Sequence, residues 1–235
     1  MNIVITGASA GIGYHCAKYL SSLGHHVFAI ARRKEKLDQL VEESKKGNSS
    51  GAVHPLAGDI SDENSLDKLF TEIKNNCGSI HILINNAGSL VNKPFEELSN
   101  ADWSEIYKTN VFAVVSTIRK LLPLFDTKSL NHILNISSMG GFQGSVKFKG
   151  LSAYSSSKAA LVGLTECLAE EFKDRKISVN CMCLGSVQTE MFERAFPGYS
   201  AASSPEKTAK LIADFALEGS EFFNGKIIPV SNSTP

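Results

Sequence analysis

The feature that most limits what this chain can fold into lies at its start. An apolar run over 3–6 enters Thr6-Gly7-Ala8-Ser9-Ala10-Gly11-Ile12-Gly13, and a helical period follows. That period places Ile12, Cys16, Leu20 and Leu23 on one face until Gly24 stops it. A strand, a glycine-rich turn and a helix in this order serve a physical purpose. Glycines permit positive φ and close backbone approach, and the first turn of a helix offers free N–H groups to a pyrophosphate. The spacing is Gly-x-x-x-Gly-x-Gly rather than the commoner Gly-x-Gly-x-x-Gly. By itself such a turn is only a tight turn; its place after the first strand of an alternating pattern makes it a candidate nucleotide site.

The rest of the chain continues the alternation. Apolar runs at 27–31, 52–56, 80–84, 132–136, 177–182 and 226–230 read as strands. Between them, Leu37, Leu40 and Val41 mark a helix ending near Gly47, and Leu66, Leu69, Phe70 and Ile73 mark another. Longer helical periods cover 102–122 and 152–172. Ser204 caps a helix that opens with Pro205 and runs to Leu217. Strands alternating with helices predict a doubly wound (Rossmann) parallel α/β sheet of about seven strands with helices on both faces. Continuous apolar strands fit burial on both sides. With 235 residues and no linker, repeat or low-complexity tract, one domain over 1–235 is expected. The least regular stretches, 140–151 and 191–203, are where substrate loops are expected.

Charge and cysteine content exclude other classes. Twenty-four Lys+Arg balance 24 Asp+Glu, so no net field favours nucleic acid or an anionic membrane. The five cysteines, Cys16, Cys77, Cys167, Cys181 and Cys183, have no framework spacing and point to a reducing compartment. Cys181 and Cys183 share one face of a strand and read as core packing, and His25-His26 reads as a turn, so no metal site is expected. No signal-like leader or apolar run near ~18 residues is visible, and a cytoplasmic location is the expectation.

The end of the second strand bears on the nucleotide. An acidic residue there would bond the ribose 2′-OH of NAD and repel a 2′-phosphate. Here Ala31 is followed by Arg32 and Arg33, whose guanidinium groups suit phosphate, so NADP(H) is the expected cofactor.

These motifs, with others further along, resemble the short-chain dehydrogenase/reductase family over nearly the whole length. The turn from Thr6 to Gly13 looks like that family's cofactor turn, carrying Gly7, Ser9, Gly11, Ile12 and Gly13. Asp59-Ile60 resembles its adenine-contact position, and Asn85-Asn86-Ala87-Gly88 its segment after the fourth strand. Asn110 resembles its helix asparagine, Asn135-Ile136-Ser137-Ser138 its strand with the catalytic serine second, and Tyr154-Ser-Ser-Ser-Lys158 its Tyr-x-x-x-Lys. Gly185, Val187 and Thr189 fit the segment that positions the nicotinamide, although Leu184 stands where the family has proline. Ala10 replaces a basic residue frequent in NADP-using members, the 138–154 stretch is longer than usual, and the segment after Thr189 is short, which implies a small lid. Ser137 remains the alternative to Ser138.

The resemblance implies an oxidoreductase moving a hydride between NADP(H) and a carbonyl/alcohol pair. Tyr154 and Lys158 lie i,i+4 on one helix face, and a nearby ammonium favours phenolate and lowers the Tyr pKa, which suits a general acid/base. Ser138 would donate to the carbonyl oxygen, and by the resemblance Asn110 would hold a water that relays protons to Lys158. The implied partners are a small carbonyl or alcohol substrate and further copies of the chain, as a homodimer or homotetramer paired through the 102–122 and 152–172 helices. The alternative is a non-catalytic NADP-binding regulator on the same fold. The 140–151 segment, with Phe142, Val146, Phe148 and Leu151 as apolar contacts and Gln143 and Lys147 as polar handles, is expected to select the substrate.

Overall fold

The computed structural model describes residues 1–46 and 50–231; the helix end expected at Gly47 lies outside them. The strands are β1 (Asn2–Thr6), β2 (His26–Ala31), β3 (Ala52–Ala57), β4 (Ile82–Asn85), β5 (Asn131–Ser138), β6 (Ile177–Leu184) and β7 (Ile227–Val230). They form one parallel sheet in the order β3-β2-β1-β4-β5-β6-β7, so the expected doubly wound topology is found. The helices are α1 (Gly11–Ser22), α2 (Lys34–Ser44), α3 (Glu63–Asn76), α4 (Asn100–Tyr107), α5 (Ala113–Leu121), α6 (Ser152–Glu171), α7 (Glu190–Ala195) and α8 (Pro205–Glu218).

The two faces of the sheet carry separate cores, as the two-residue period of a strand requires. Ile3, Ile5, Val27 and Ala29 pack with Cys16 and Leu20 of α1, Leu37 and Leu40 of α2, and Ile212 and Ala216 of α8. Val4, Phe28 and Ile30 face the other way, against Leu66, Leu69 and Ile73 of α3, Val114 and Ile118 of α5, and Leu161 of α6. Pro55, which has no N–H to donate, is tolerated because β3 is an edge strand. β1 and β4 are neighbours although distant in sequence. Their carboxyl ends mark the point where strand order reverses, the usual place for a ligand crevice in such sheets.

Four local expectations are corrected. The single helix expected over 102–122 is two helices, α4 and α5, joined by a π-helical turn from Lys108 to Phe112. Such a turn adds a residue without breaking the chain's helical course, so an apolar period does not reveal it. The irregular 191–203 stretch contains most of α7, capped by the Thr189 side chain accepting from Phe192 N. Leu23, placed on the apolar face of α1, is 47% exposed, because α1 ends at Ser22 and Gly24 turns the chain at φ +91°. His26 is not in a turn but opens β2, where its ring stacks on His54.

Candidate active site

The cofactor turn is built so that side chains cannot enter it. Gly7 and Gly11 take left-handed φ values of +73° and +55°. A Cβ on Gly13 would sit 2.4 Å from the Gly7 carbonyl oxygen and 2.5 Å from Asn86 Nδ2. Asn86 explains that crowding: its Nδ2 donates to the carbonyls of Thr6 (3.1 Å) and Gly7 (3.2 Å) and ties the end of β4 to the turn after β1. The N–H groups of Asn86 and Ala87 both donate to Thr6 Oγ1. α1 begins with no side-chain cap and no acidic residue in its first turn, which leaves its leading N–H groups for an anionic ligand. The backbone cradle fits a dinucleotide pyrophosphate, with Gly7, Ser9, Gly11 and Ile12 all lining the cleft.

Beyond the turn, Ala31, Arg32, Arg33, Asp59 and Ile60 line the same cleft. Partial burial works to raise the Asp59 pKa. Hydrogen bonds from Ser61 N and Oγ, with the charges of Arg32 and Lys108, outweigh it and hold the carboxyl below its ordinary value. Arg33 reaches back over the turn: Nε and Nη2 each lie 3.3 Å from Ser9 Oγ, and Nη1 lies 3.0 Å from Glu190 Oε2.

At the other end, β5 and α6 bring the chemistry-bearing residues together. The two serines are separated by the pleat. Ser137 is buried and donates to the Lys158 carbonyl at 2.8 Å, whereas Ser138 is hydrogen-bonded to Tyr154 and accepts from Gly140 N at 3.1 Å. Tyr154 and Lys158 share one face of α6, with Nζ 5.9 Å from the Tyr154 ring centroid. Lys158 is buried and donates to the Ile136 carbonyl at 2.8 Å, and its burial lowers the ammonium pKa to about 8. The expected depression of the Tyr154 pKa is not found. Burial raises it, the Ser138 hydrogen bond opposes that rise, and the ammonium, turned to Ile136 O, does not reverse it.

Asn110 sits in the π-helical turn and is fully buried. Its Oδ1 accepts from Ser89 N at 2.7 Å, and its Nδ2 donates to Ser89 O and Ser157 Oγ, both at 2.9 Å. Both amide protons are thus committed to protein. The side chain locks the turn against β4's outgoing loop and α6, and it flanks Gly88 opposite Lys158 Nζ. Gly88, Gly185, Val187 and Thr189 also line the cleft. Cys181 and Cys183 are buried on β6 with no exposure, as core packing requires. A second buried set, in which Asn85 Nδ2 donates to Asn135 Oδ1 and Asn135 Nδ2 to Thr165 Oγ1, pins β4, β5 and α6 together; sequence reasoning did not single it out.

The cleft holds about 1200 Å³. Leu90, Val146, Phe148, Met191, Phe192 and Phe196 add apolar lining to it. From the 140–151 segment, Val146, Phe148 and Leu151 line it as expected, but Phe142 and Gln143 do not. Lys147 is turned away to Phe142 O (2.6 Å) and Ser145 Oγ (2.7 Å), and Lys149 lines the cleft instead. The aromatics of α7 were missed, since a six-residue helix shows too little periodicity to be read.

This fold and this cleft define a class, the doubly wound α/β oxidoreductases that work with a nicotinamide nucleotide. A family model described as short chain dehydrogenase matches residues 1–200, and the chain belongs to that family. It is 31% identical to the 3-oxoacyl-[acyl-carrier-protein] reductase of Aquifex aeolicus, over 97% of this chain and 94% of the relative. Two solved structures superpose closely. One is a 3-ketoacyl-(acyl-carrier-protein) reductase from Brucella melitensis complexed with NADH, with TM-score 0.85, 26% identity, and coverage of 97% of this chain and 96% of that one. The other is a putative NAD(P) dependent gluconate 5-dehydrogenase from Beutenbergia cavernae with bound NADP, with TM-score 0.85, 27% identity, and coverage of 98% and 94%. Among the described residues no helix is long and apolar enough to cross a membrane.

Proposed function

We propose that this oxidoreductase uses NADP(H) and interconverts a carbonyl compound and its alcohol, with Tyr154 as the general acid/base. The observation that carries the reading is the grouping of Ser138, Tyr154 and Lys158 in the same cleft as the glycine turn. Gly7, Ser9, Gly11 and Ile12 would hold the pyrophosphate, with Gly13 packed behind them against Gly7 and Asn86; Asp59 and Ile60 would hold the adenine; and Arg32 and Arg33 a 2′-phosphate, with no carboxylate at the end of β2 to repel it. Asn86, Ala87 and Gly88 would wall the ribose side, and Gly185, Val187 and Thr189 would fix the nicotinamide. When bound, the nicotinamide supplies or accepts the hydride.

The chain's own residues handle the proton. Ser138 donates a hydrogen bond to the substrate oxygen as negative charge grows there. Tyr154, a phenol that is protonated at neutral pH even at its ordinary pKa of about 10, gives its hydroxyl proton to that oxygen in the reducing direction. Lys158, whose ammonium rests on Ile136 O on the same face of α6, would turn to the phenolate as it forms and stabilise it. Asn110 supports the site by fixing the π-helical turn beside Lys158, and with both amide protons committed it would meet a proton-relaying water only as an acceptor.

The apolar substrate end suits a carbonyl group carrying a hydrocarbon portion. The Aquifex relative's substrate class makes 3-oxoacyl thioesters a first choice beside ketones, aldehydes, quinones and sugars. Free cysteines at all five positions fit a cytoplasmic setting. The exposed Phe95, Phe112 and Val115 beside α4 and α5 support a homodimer or homotetramer. NADPH oxidation across that substrate panel tests the activity. Fluorescence titration of both cofactors tests the preference, with Arg32→Ala expected to weaken NADPH much more than NADH; equal or tighter NADH binding by the unaltered protein would overturn it.

A further inference from the structure

Glu190 stands out among the residues around the cleft because its negative charge lies where the proposed cofactor would bring more. It is the first residue of α7, the short helix whose Phe192, with Phe196 just past its end, lines the apolar part of the cleft. Its carboxylate is 3.0 Å from Arg33 Nη1, while the other two donor nitrogens of that guanidinium in contact, Nε and Nη2, are both spent on Ser9 Oγ. Arg33 therefore clamps the cofactor turn to the substrate-side helix. The preceding residue reinforces the contact: Thr189 Cγ2 lies 3.1 Å from where a Cβ on Gly11 would be. Glu190 also has a second cation in reach, Arg194 one turn on, with Nη2 at 3.8 Å and Nε already donating to the Glu190 carbonyl at 3.2 Å.

We propose that Glu190 is a specificity-determining residue for the cofactor: it competes with a ribose 2′-phosphate for the Arg33 guanidinium, and a bound 2′-phosphate passes Glu190 from Arg33 to Arg194. The proposal rests on the NADP(H) reading and adds a coupling to it. A phosphate dianion outbids a single carboxylate for a planar guanidinium fork. The displaced carboxylate faces a like charge and turns to the remaining cation. Both side chains of the existing pair are close to half exposed, so solvent keeps its attraction modest and the exchange inexpensive. Occupancy of the 2′-phosphate site then releases the clamp on α7, the helix that shapes the substrate end. An NAD-type ribose, with no phosphate, leaves the clamp closed.

Calorimetric titration with two probes that lack nicotinamide and differ only in the 2′-phosphate, adenosine 2′,5′-bisphosphate and AMP, tests this. Glu190→Gln should tighten the 2′-phosphate probe by roughly three- to tenfold at low salt, as removal of one nearby like charge at a partly exposed site implies, and change AMP by less than about twofold. In an Arg33→Ala background the same substitution should lose most of that effect, because Glu190 acts through Arg33. Hydrogen exchange of the α7 amides should speed up when the unaltered protein is saturated with the 2′-phosphate probe, but not with AMP. Unchanged or weaker binding of the 2′-phosphate probe by Glu190→Gln, or an equal gain without Arg33, overturns the competition. If the unaltered protein fails to prefer adenosine 2′,5′-bisphosphate over AMP, the NADP(H) reading itself fails and the coupling falls with it.

Discussion

His132 gives the fold a pH limit that can be worked from the structure. It lies in β5, 1% exposed, with Nδ1 3.0 Å from the Ala216 carbonyl and Nε2 3.0 Å from Asn180 Nδ2. Nδ1 must carry the proton to meet a carbonyl, and Nε2 must be bare to accept from an amide, so the arrangement needs the neutral ring. Burial drives the pKa down to about 4, and the hydrogen bond to Ala216 offsets only part of that. The unfolded chain titrates this group near ~6.5, so between the two values the unfolded state binds the extra proton and stability falls as pH falls. Integrating from pH 7.5 to pH 5 gives a loss of about 2 kcal/mol, and the full gap corresponds to about 3 kcal/mol. His132→Gln removes the titration and keeps a polar side chain. Urea unfolding of both proteins at pH 7.5, 6 and 5 should show the variant less stable at pH 7.5 and the difference shrinking by about 2 kcal/mol at pH 5. Glu43 and Asp102, whose hydrogen bonds to Lys18 and Ser99 first of all hold their pKa near 2, lose stability at lower pH in both proteins and cancel in the comparison. A difference that stays constant from pH 7.5 to 5 would refute the reasoning.

Two further outcomes follow from the cleft. Gly13→Ala places a Cβ against the Gly7 carbonyl and Asn86, which must move the turn; dinucleotide binding should fall at least tenfold by fluorescence titration, a cost of about 1.4 kcal/mol or more, and retention of affinity would show that the turn does not hold the cofactor. Phe148→Ala opens the substrate wall opposite α7 and should change the ranking of kcat/KM among substrates by roughly tenfold with cofactor affinity unchanged, whereas Phe142→Ala, outside the cleft, should leave the ranking alone.

What could be read in the sequence was what repeats. The strands announce themselves as apolar runs because both faces of the sheet are covered, and α1, α3 and α8 because one face in 3.6 residues is apolar. The glycine turn is readable because its backbone admits nothing larger, which Gly13 illustrates. The π-helical turn around Asn110 was hidden because its cause is tertiary: a carboxamide drawn to Ser89 and Ser157, neither of which is local to it. The Asn85–Asn135–Thr165 chain and the Arg33–Glu190 pair join residues from 30 to 157 positions apart, so no spacing rule reaches them. The direction of the Tyr154 pKa was missed for a related reason. Spacing puts Lys158 on the right face, but burial and the pull of Ile136 O decide where its charge goes.

The most direct test of the account is Tyr154→Phe, assayed on a substrate found in the NADPH screen. The substitution removes one hydroxyl, the partner of Ser138, from the cleft and leaves the ring and Lys158 in place. Loss of a general acid predicts a kcat lower by roughly two to four orders of magnitude, with cofactor affinity within about twofold. Turnover at the level of the unaltered protein would contradict the assignment of Tyr154 and, with it, the proposed chemistry of the cleft.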